Sequence, residues 1–319
     1  MFPLASIDVG SNTLRLLIGR IENNKLIDIF SDRIITRLGN RVDQTGRLQD
    51  ENSEASLSGL KRFAAVISQY GVRHVKAVAT SALREASNSD IFIKRVYDVT
   101  GISIEVISGK KEAELTLRGI LGSLPGPECR MLPPMLIVDI GGGSTEWILY
   151  RDQDHIDMGS IPIGVIKLSR IFLSAGPISA GELNHFDNSI VPVMEELRKR
   201  TRQVLSRDTR FIGTAGTFTS IASIDLGLVS YSRDKIHLHT ITLSSLYALG
   251  EKLSALSLEE RRKIKGLEPE RADLIIPGIQ FTIKIMKSLN FDKLIISDYG
   301  LIEGALFDIE KNISETGKS

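Results

Sequence analysis

Short apolar runs alternate along this chain with longer stretches whose apolar residues recur every three to four positions. The runs are ASIDV from Ala5, LRLLI from Leu14, VKAVAT from Val75, ISIEVIS from Ile102, MLIVDI from Met135, WILY from Trp147 and KLIIS from Lys293. Runs this short predict strands and the periodic stretches predict helices, so the alternation predicts an α/β chain of mixed sheets flanked by helices. Leu57, Leu60, Ala64 and Ile67 share one face of a helix expected to begin after Ser53 and to stop at Gly71. Another helix is expected from Ser257, where Glu260 completes a capping box. HLH, from His237 to His239, fits strand alternation. GSLPGPECRMLPP, Gly122 to Pro134, breaks both periods with Pro and Gly and reads as a linker between two domains.

The two sides of that linker repeat one another weakly. ASIDVGSNTLRLLI, from Ala5, and LIVDIGGGSTEWIL, from Leu136, both read strand, Asp, Gly-rich turn, small polar residue and second strand. A turn of this kind exposes consecutive backbone N–H groups that no ladder uses, and such a concavity binds phosphate oxygens. The candidate phosphate contacts are Gly10, Ser11 and Asn12 in the first turn and Gly141, Gly142, Gly143, Ser144 and Thr145 in the second. A third turn, FIGTAGTFTSIAS, leads from a strand into an apolar helix and adds Gly213, Thr214, Gly216 and Thr217 at a helix N-terminus. Each turn alone could be a plain tight turn; three together favour a substrate with several phosphates. Neither a P-loop nor a dinucleotide fingerprint is present.

Asp8 and Asp139 end their strands where the glycine turns begin, and Glu146 follows the second turn. Carboxylates beside phosphates repel them unless a cation intervenes, so Asp8 and Asp139 are candidate ligands of Mg²⁺ or Mn²⁺. Glu112 falls in the first turn of the helix KKEAELTLRGIL, where a strand gives way to a helix, and is a candidate general base toward water. Acidic first-turn residues also serve the helix dipole, so Glu112 alone is a weak signal. Arg84, after the strand VKAVA, suits bidentate phosphate contact.

Composition narrows the setting. Lys plus Arg (40) nearly balances Asp plus Glu (39), against nucleic-acid binding through bulk charge, and 42% hydrophobic with 25% charged residues is ordinary for a soluble enzyme. No run approaches the roughly 20 apolar residues needed to span a bilayer, and no signal peptide is apparent. Cys129 is the single cysteine, which excludes an intrachain disulfide and a thiolate metal cage and fits a cytoplasmic location.

IDVGSNTLRLLI, VATSALREASNSDIFI, VISGKKEAEL, LIVDIGGGSTEWIL, GTAGTFTSIA, GLEPERADLIIPG and YGLIEGAL, in that order, resemble the exopolyphosphatase and guanosine pentaphosphate phosphohydrolase family over almost the whole chain. That resemblance implies two actin-like domains of ribonuclease H-like type, within the superfamily of actin, sugar kinases and heat-shock ATPases, with the site in a cleft between them. The expected division is 1–124, 125–298 and a terminal helix at 299–319 packing back on the first domain. It implies Mg²⁺, Glu112 as general base, and Glu146 orienting water or metal. The expected reaction is hydrolysis of terminal phosphoanhydride bonds of polyphosphate or of the 5′ γ-phosphate of guanosine pentaphosphate. No nucleic-acid or membrane partner is expected, and a homodimer is left open. Lys111 stands where the family usually has the first glutamate of a pair, and Ile302 where it has an arginine. The first departure leaves open a guanosine penta- or tetraphosphate sensor with little turnover; a kinase-like ATPase is the third reading.

Overall fold

A computed structural model describes residues 2–23, 25–124, 132–152, 156–172, 176–201 and 205–316. Cys129 and most of the Pro-rich linker lie outside them. In chain order the first elements are β1 (Leu4–Val9), β2 (Thr13–Glu22), β3 (Lys25–Ile35), α1 (Val42–Thr45), α2 (Asp50–Gln69), β4 (His74–Ala79), α3 (Ser81–Glu85), α4 (Ser89–Thr100), β5 (Ile104–Val106) and α5 (Gly109–Ser123). There follow β6 (Met135–Ile140), β7 (Thr145–Tyr150), β8 (Ile156–Ile161), α6 (Val165–Ser169), α7 (Ala180–Ser189), α8 (Val191–Thr201), β9 (Arg210–Thr214) and α9 (Ala215–Asp225). The last are α10 (Arg233–Ile236), β10 (Thr240–Thr242), α11 (Leu243–Ser254), α12 (Leu258–Arg261), α13 (Ile275–Leu289), β11 (Lys293–Ile296) and α14 (Leu301–Thr316). The chain divides into two compact units, Met1–Arg130 with Tyr299–Ser319, and Met131–Asp298.

The first unit is built on a sheet of order β3-β2-β1-β4-β5, antiparallel from β1 through β3 and parallel from β1 through β5. Strand alternation sends Ala5, Ile7 and Val9 to one face, where they pack with Leu57, Leu60 and Phe63 of α2. On the other face Leu4, Leu17 and Ile21 bury against Ile302, Leu306 and Ile309 of α14. Helices α5 and α14 meet backbone to backbone: a Cβ on Gly119 would lie 2.0 Å from the Gly300 carbonyl oxygen, and one on Gly304 would lie 1.8 Å from that of Leu115. Glycine is required at both places for steric reasons. Helix α2 starts at Asp50, four residues earlier than expected, because Asp50 and Glu51 bring carboxylates to its N-terminus. Its stop follows expectation, with Gly71 in the left-handed region.

The second unit repeats the scheme in a sheet of order β10-β11-β9-β6-β7-β8. Strands β6, β7 and β8 form an antiparallel meander, while β6, β9 and β11 run parallel. Leu136, Val138, Ile140, Trp147 and Leu149 enter a core completed by Phe218 of α9 and Ile279 and Ile283 of α13. The capping box at Ser257 and Glu260 forms, although it opens only the single turn α12. His237 to His239 is not a strand. Leu238 adopts φ 64° and the strand begins only at Thr240, so the left-handed residue breaks the alternation that suggested an extended run. Strands β3 and β8 escape the pattern of apolar runs: each is an edge strand with many exposed residues.

Candidate active site

In both units the first hairpin turn is closed in the same way. The Gly10 N–H donates to the Thr13 carbonyl at 3.1 Å, and the Gly141 N–H to the Ser144 carbonyl at 3.0 Å. In the second unit the start of α6 captures the turn: the N–H groups of Val165 and Ile166 donate to the carbonyls of Gly141 (3.0 Å) and Gly142 (2.9 Å). A trans peptide is planar, so fixing a carbonyl toward α6 aims the next residue's N–H the opposite way. The N–H groups of Gly142 and Gly143 are thereby turned to the side of the loop away from α6. In the first unit the Gly39 N–H takes the Ser11 carbonyl at 2.7 Å, which aims the Asn12 N–H in the same sense. Gly164 and Gly39, which the sequence did not single out, make these captures possible. A Cβ on Gly164 would lie 2.5 Å from Gly142 backbone atoms, and one on Gly39 would lie 2.7 Å from the Ser11 Cβ.

The carboxylates take definite places in the register. Asp139 pairs across the ladder with Glu146, Glu146 with Ser160, and Asp139 with Thr214 of parallel β9. Directly paired residues share a face, so Thr214, Asp139, Glu146 and Ser160 form one polar row at the turn end of the sheet, opposite the face that carries the core. Asp139 is 7% exposed and Glu146 fully buried. The Ser160 hydroxyl donates to Glu146 Oε1 at 2.6 Å, which orients a carboxylate that burial would otherwise penalise. Asp8 sits at the equivalent point of the first unit, but Arg15 stands directly across from it. A cationic side chain therefore shares the face on which Asp8 was expected to need a metal.

Arg84 and Glu112 come together in the first unit. Arg84 Nη1 donates to the Ile107 carbonyl at 2.8 Å and lies 3.2 Å from Glu112 Oε2. Ser108 caps α5 by accepting the Lys111 N–H, and Glu112, on the next residue, is buried at 6% exposure. Ser11 accepts the Ala82 N–H at 3.1 Å, which ties the glycine turn to α3, the helix that carries Arg84. Asn12 is also buried, and its Oδ1 has no hydrogen-bond partner. Its Nδ2 donates to Thr13 Oγ1 at 3.3 Å; with the amide assigned the other way round, the NH₂ stands where the unpartnered oxygen is. Lys111 pairs at 3.5 Å with Glu114 on its own helix.

Some candidate hydroxyls are already committed. Thr145 donates to the Ile163 carbonyl at 2.6 Å and Thr217 to the Ile140 carbonyl at 3.0 Å, so both lash backbone segments together. Gly213 serves packing, since a Cβ there would lie 2.3 Å from the Phe218 ring. Gly216 is covered by a side chain that sequence reasoning left without a role: its Cβ would fall 2.2 Å from Arg271 Nη1. A guanidinium on a helix N-terminus opposes the helix dipole, and Glu268, 2.7 Å from Arg271 Nε, compensates the charge. Ala215, the first residue of α9, holds φ 69°, a conformation costing a non-glycine residue about 1–2 kcal/mol. Gly10, Gly143, Ser144 and Thr214 stand in the turns as expected, Ser144 and Thr214 both buried.

A carboxylate pair on one face beside aimed N–H groups suits a hard cation that takes one or two carboxylates and completes its shell with phosphate oxygens. Among the described residues no cluster of three or more His, Cys, Asp or Glu side chains could hold a metal without such help. No helix among them is long and apolar enough to cross a membrane.

Two units, each a mixed sheet with a glycine turn closing its first hairpin, define an actin-like α/β protein. The chain belongs to the Ppx/GppA phosphatase family, whose model matches residues 17–313. It is similar to exopolyphosphatase 2 of Mycobacterium tuberculosis, 29% identical over 94% of this chain and 96% of that protein. It is also similar to a bifunctional 3-dehydroquinate synthase/phosphatase of Fusobacterium nucleatum, 32% identical over 98% of this chain but 47% of that protein. The chain thus spans about half the length of that relative. Among solved structures, an exopolyphosphatase from Cytophaga hutchinsonii superposes with a TM-score of 0.84 at 29% identity, covering 97% of this chain and 98% of that one.

Proposed function

We infer that this chain hydrolyses terminal phosphoanhydride bonds and releases orthophosphate, with inorganic polyphosphate as the first substrate class and guanosine pentaphosphate as the second. The observation that carries this reading is the capture of the Gly141 and Gly142 carbonyls by α6, which turns successive N–H groups away from α6 in the hairpin that also carries Asp139 and Glu146. Backbone donors so fixed need no reorganisation when a phosphoryl group gains negative charge, and that is where preorganised dipoles lower a barrier. Arg271, ion-paired with Glu268 at 2.7 Å, lies over the N-terminus of α9 in the same unit.

Glu112 is the proposed base. It accepts a proton from water as the water oxygen bonds to the terminal phosphorus and the bridging P–O bond breaks, leaving orthophosphate and a chain one phosphate shorter. Arg84, hydrogen-bonded to Glu112, orients that carboxylate. Asp139 and Glu146 would hold Mg²⁺, which when bound neutralises phosphate charge, and Asp8 is the candidate ligand in the first unit. Ser160 keeps Glu146 turned for its part.

The test is orthophosphate release by the purified chain with Mg²⁺ from long polyphosphate, tripolyphosphate and guanosine pentaphosphate under identical conditions. Release from at least one supports the reading, and the ranking sets the substrate. Binding of guanosine pentaphosphate without release from any of the three, with Mg²⁺ or Mn²⁺, would replace it with the sensor reading.

A further inference from the structure

The second unit holds a cavity of about 440 Å³ at the edge of the sheet opposite the glycine turns. Its walls come from the end of α8, the loop before β9 and the junction between α13 and β11. Strands β6, β9 and β11 run parallel, with the turns after their C-terminal ends and this cavity before the N-terminal ends of β9 and β11. At about 3.3 Å per residue, the length of β9 separates the two by about 15 Å, so the cavity is no extension of the turn site.

Its lining is chemically divided. Arg198 and Arg207 both face it, and neither forms a salt bridge among the described residues. Arg207 is carried by a loop that is fixed rather than loose, since the Thr209 hydroxyl accepts the Ser206 N–H at 2.9 Å. The end of α13 contributes Ser288 and Leu289, and its cap contributes Asn290. The cap takes part of this end, with the Asn290 and Phe291 N–H groups donating to the carbonyls of Lys287 (3.4 Å) and Met286 (2.8 Å); the carbonyls of Ser288 and Leu289 remain as acceptors at the negative end of the dipole. Leu289 and Phe291 supply apolar wall, and Phe291 is held by stacking on Phe211 at 5.2 Å between ring centroids.

Two guanidiniums with no carboxylate partner among the described residues suit a phosphate. The acceptor-rich helix end repels an all-anionic ligand and calls for N–H donors, and the apolar wall calls for a ring or hydrocarbon between the two. The volume lies within the range of small-molecule sites. We propose that this cavity is a second binding site, separate from the turns, for a phosphate monoester bearing an N–H-rich ring, the chemistry of a nucleoside 5′-monophosphate. An inorganic phosphate chain shares the anionic end but offers nothing to the α13 end.

Calorimetric titration of the full chain with AMP, GMP and tripolyphosphate tests this, using Arg198→Ala and Arg207→Ala. Both side chains are exposed, so the variants keep their packing. At least one nucleotide should bind the parent chain, and each substitution should weaken that binding about tenfold, the value of one charge-assisted contact. Tripolyphosphate affinity and orthophosphate release should be unchanged. Absence of nucleotide binding at millimolar concentration, affinities within twofold of the parent in both variants, or an equal loss of tripolyphosphate affinity would each overturn the proposal. It stands apart from the phosphatase reading: a chain that released no orthophosphate yet lost nucleotide binding with either arginine would sink that reading and keep this one.

Discussion

Gly164→Ala should disable the second-unit turn without unfolding the protein. Gly164 has φ −144°, which alanine adopts freely, so backbone strain plays no part. The added Cβ would lie 2.5 Å from the Gly141 carbonyl oxygen and from two Gly142 backbone atoms, about 0.9 Å short of the 3.4 Å at which ordinary contact begins. None of these is a flexible side-chain end, so the turn must move by nearly that amount or the hydrogen bonds from Val165 and Ile166 must lengthen. Overpacking of this kind costs about 1–3 kcal/mol of stability. A misplacement near 1 Å in groups that position a reacting phosphate costs about a hundredfold in rate, or about 2.7 kcal/mol of barrier. Gly181→Ala is the matched control, because the nearest atom to its Cβ is Ser179 Oγ at 3.9 Å. Within α7 that change should leave activity alone and stabilise by about 0.5–1 kcal/mol. The assay is kcat/KM for orthophosphate release from tripolyphosphate with Mg²⁺, beside thermal unfolding of each variant. A folded Gly164→Ala protein with parental kcat/KM would refute the reasoning that this turn is captured in its working geometry.

Two further outcomes concern α14. Asp308 holds Lys76 at 2.8 Å and also pairs with Arg118; burial raises its pKa, but the hydrogen bond and charge of Lys76 and the charge of Arg118 prevail and lower it below 3.8. Burial likewise works to lower the Lys76 pKa, and its bonds to Asp308 and Glu105 prevail and raise it above 10.5. The Asp308 contribution is present above the unfolded carboxyl pKa and is lost as pH falls through the depressed folded value. The Lys76 contribution is present below its unfolded pKa and is lost as pH rises through the raised one. Asp308→Asn should therefore cost about 1–2 kcal/mol at neutral pH and flatten both limbs of a stability profile measured by urea unfolding; limbs as steep as the parent's would contradict the assignment. Ile302→Arg, which restores the family's residue, would bury a guanidinium among Leu4, Leu17 and Ile21. It should lower stability by about 3–5 kcal/mol without raising activity, and a thermal midpoint equal to the parent's would show that the arginine finds another exit.

The parts of the candidate site written in contiguous residues could be nominated from the sequence. Asp139, the glycine turn and Glu146 belong to one hairpin, so local spacing reveals them, and the repeat with Asp8 and Gly10 supports the reading. What the register and tertiary packing bring was not legible. Ser160 reaches Glu146 only because β8 pairs with β7, Gly164 acts through α6, and Arg271 arrives from a turn 55 residues beyond Gly216. Thr145 and Thr217 look like phosphate donors in sequence, yet each hydroxyl is committed to a backbone carbonyl. The strands most easily missed were edges such as β3, whose exposed positions weaken the apolar signal. The Ile302 departure acquires a physical reason, since the position is core. Lys111 is accommodated by Glu114 one turn on.

The most direct measurement compares Glu112→Gln with the parent chain at saturating tripolyphosphate and Mg²⁺. Glutamine keeps the size of the buried side chain and can still meet Arg84, but it cannot take a proton from water. The account predicts a folded protein with KM near the parental value and kcat lower by about 10²–10⁴. An unchanged kcat would contradict it and remove Glu112 from the chemistry.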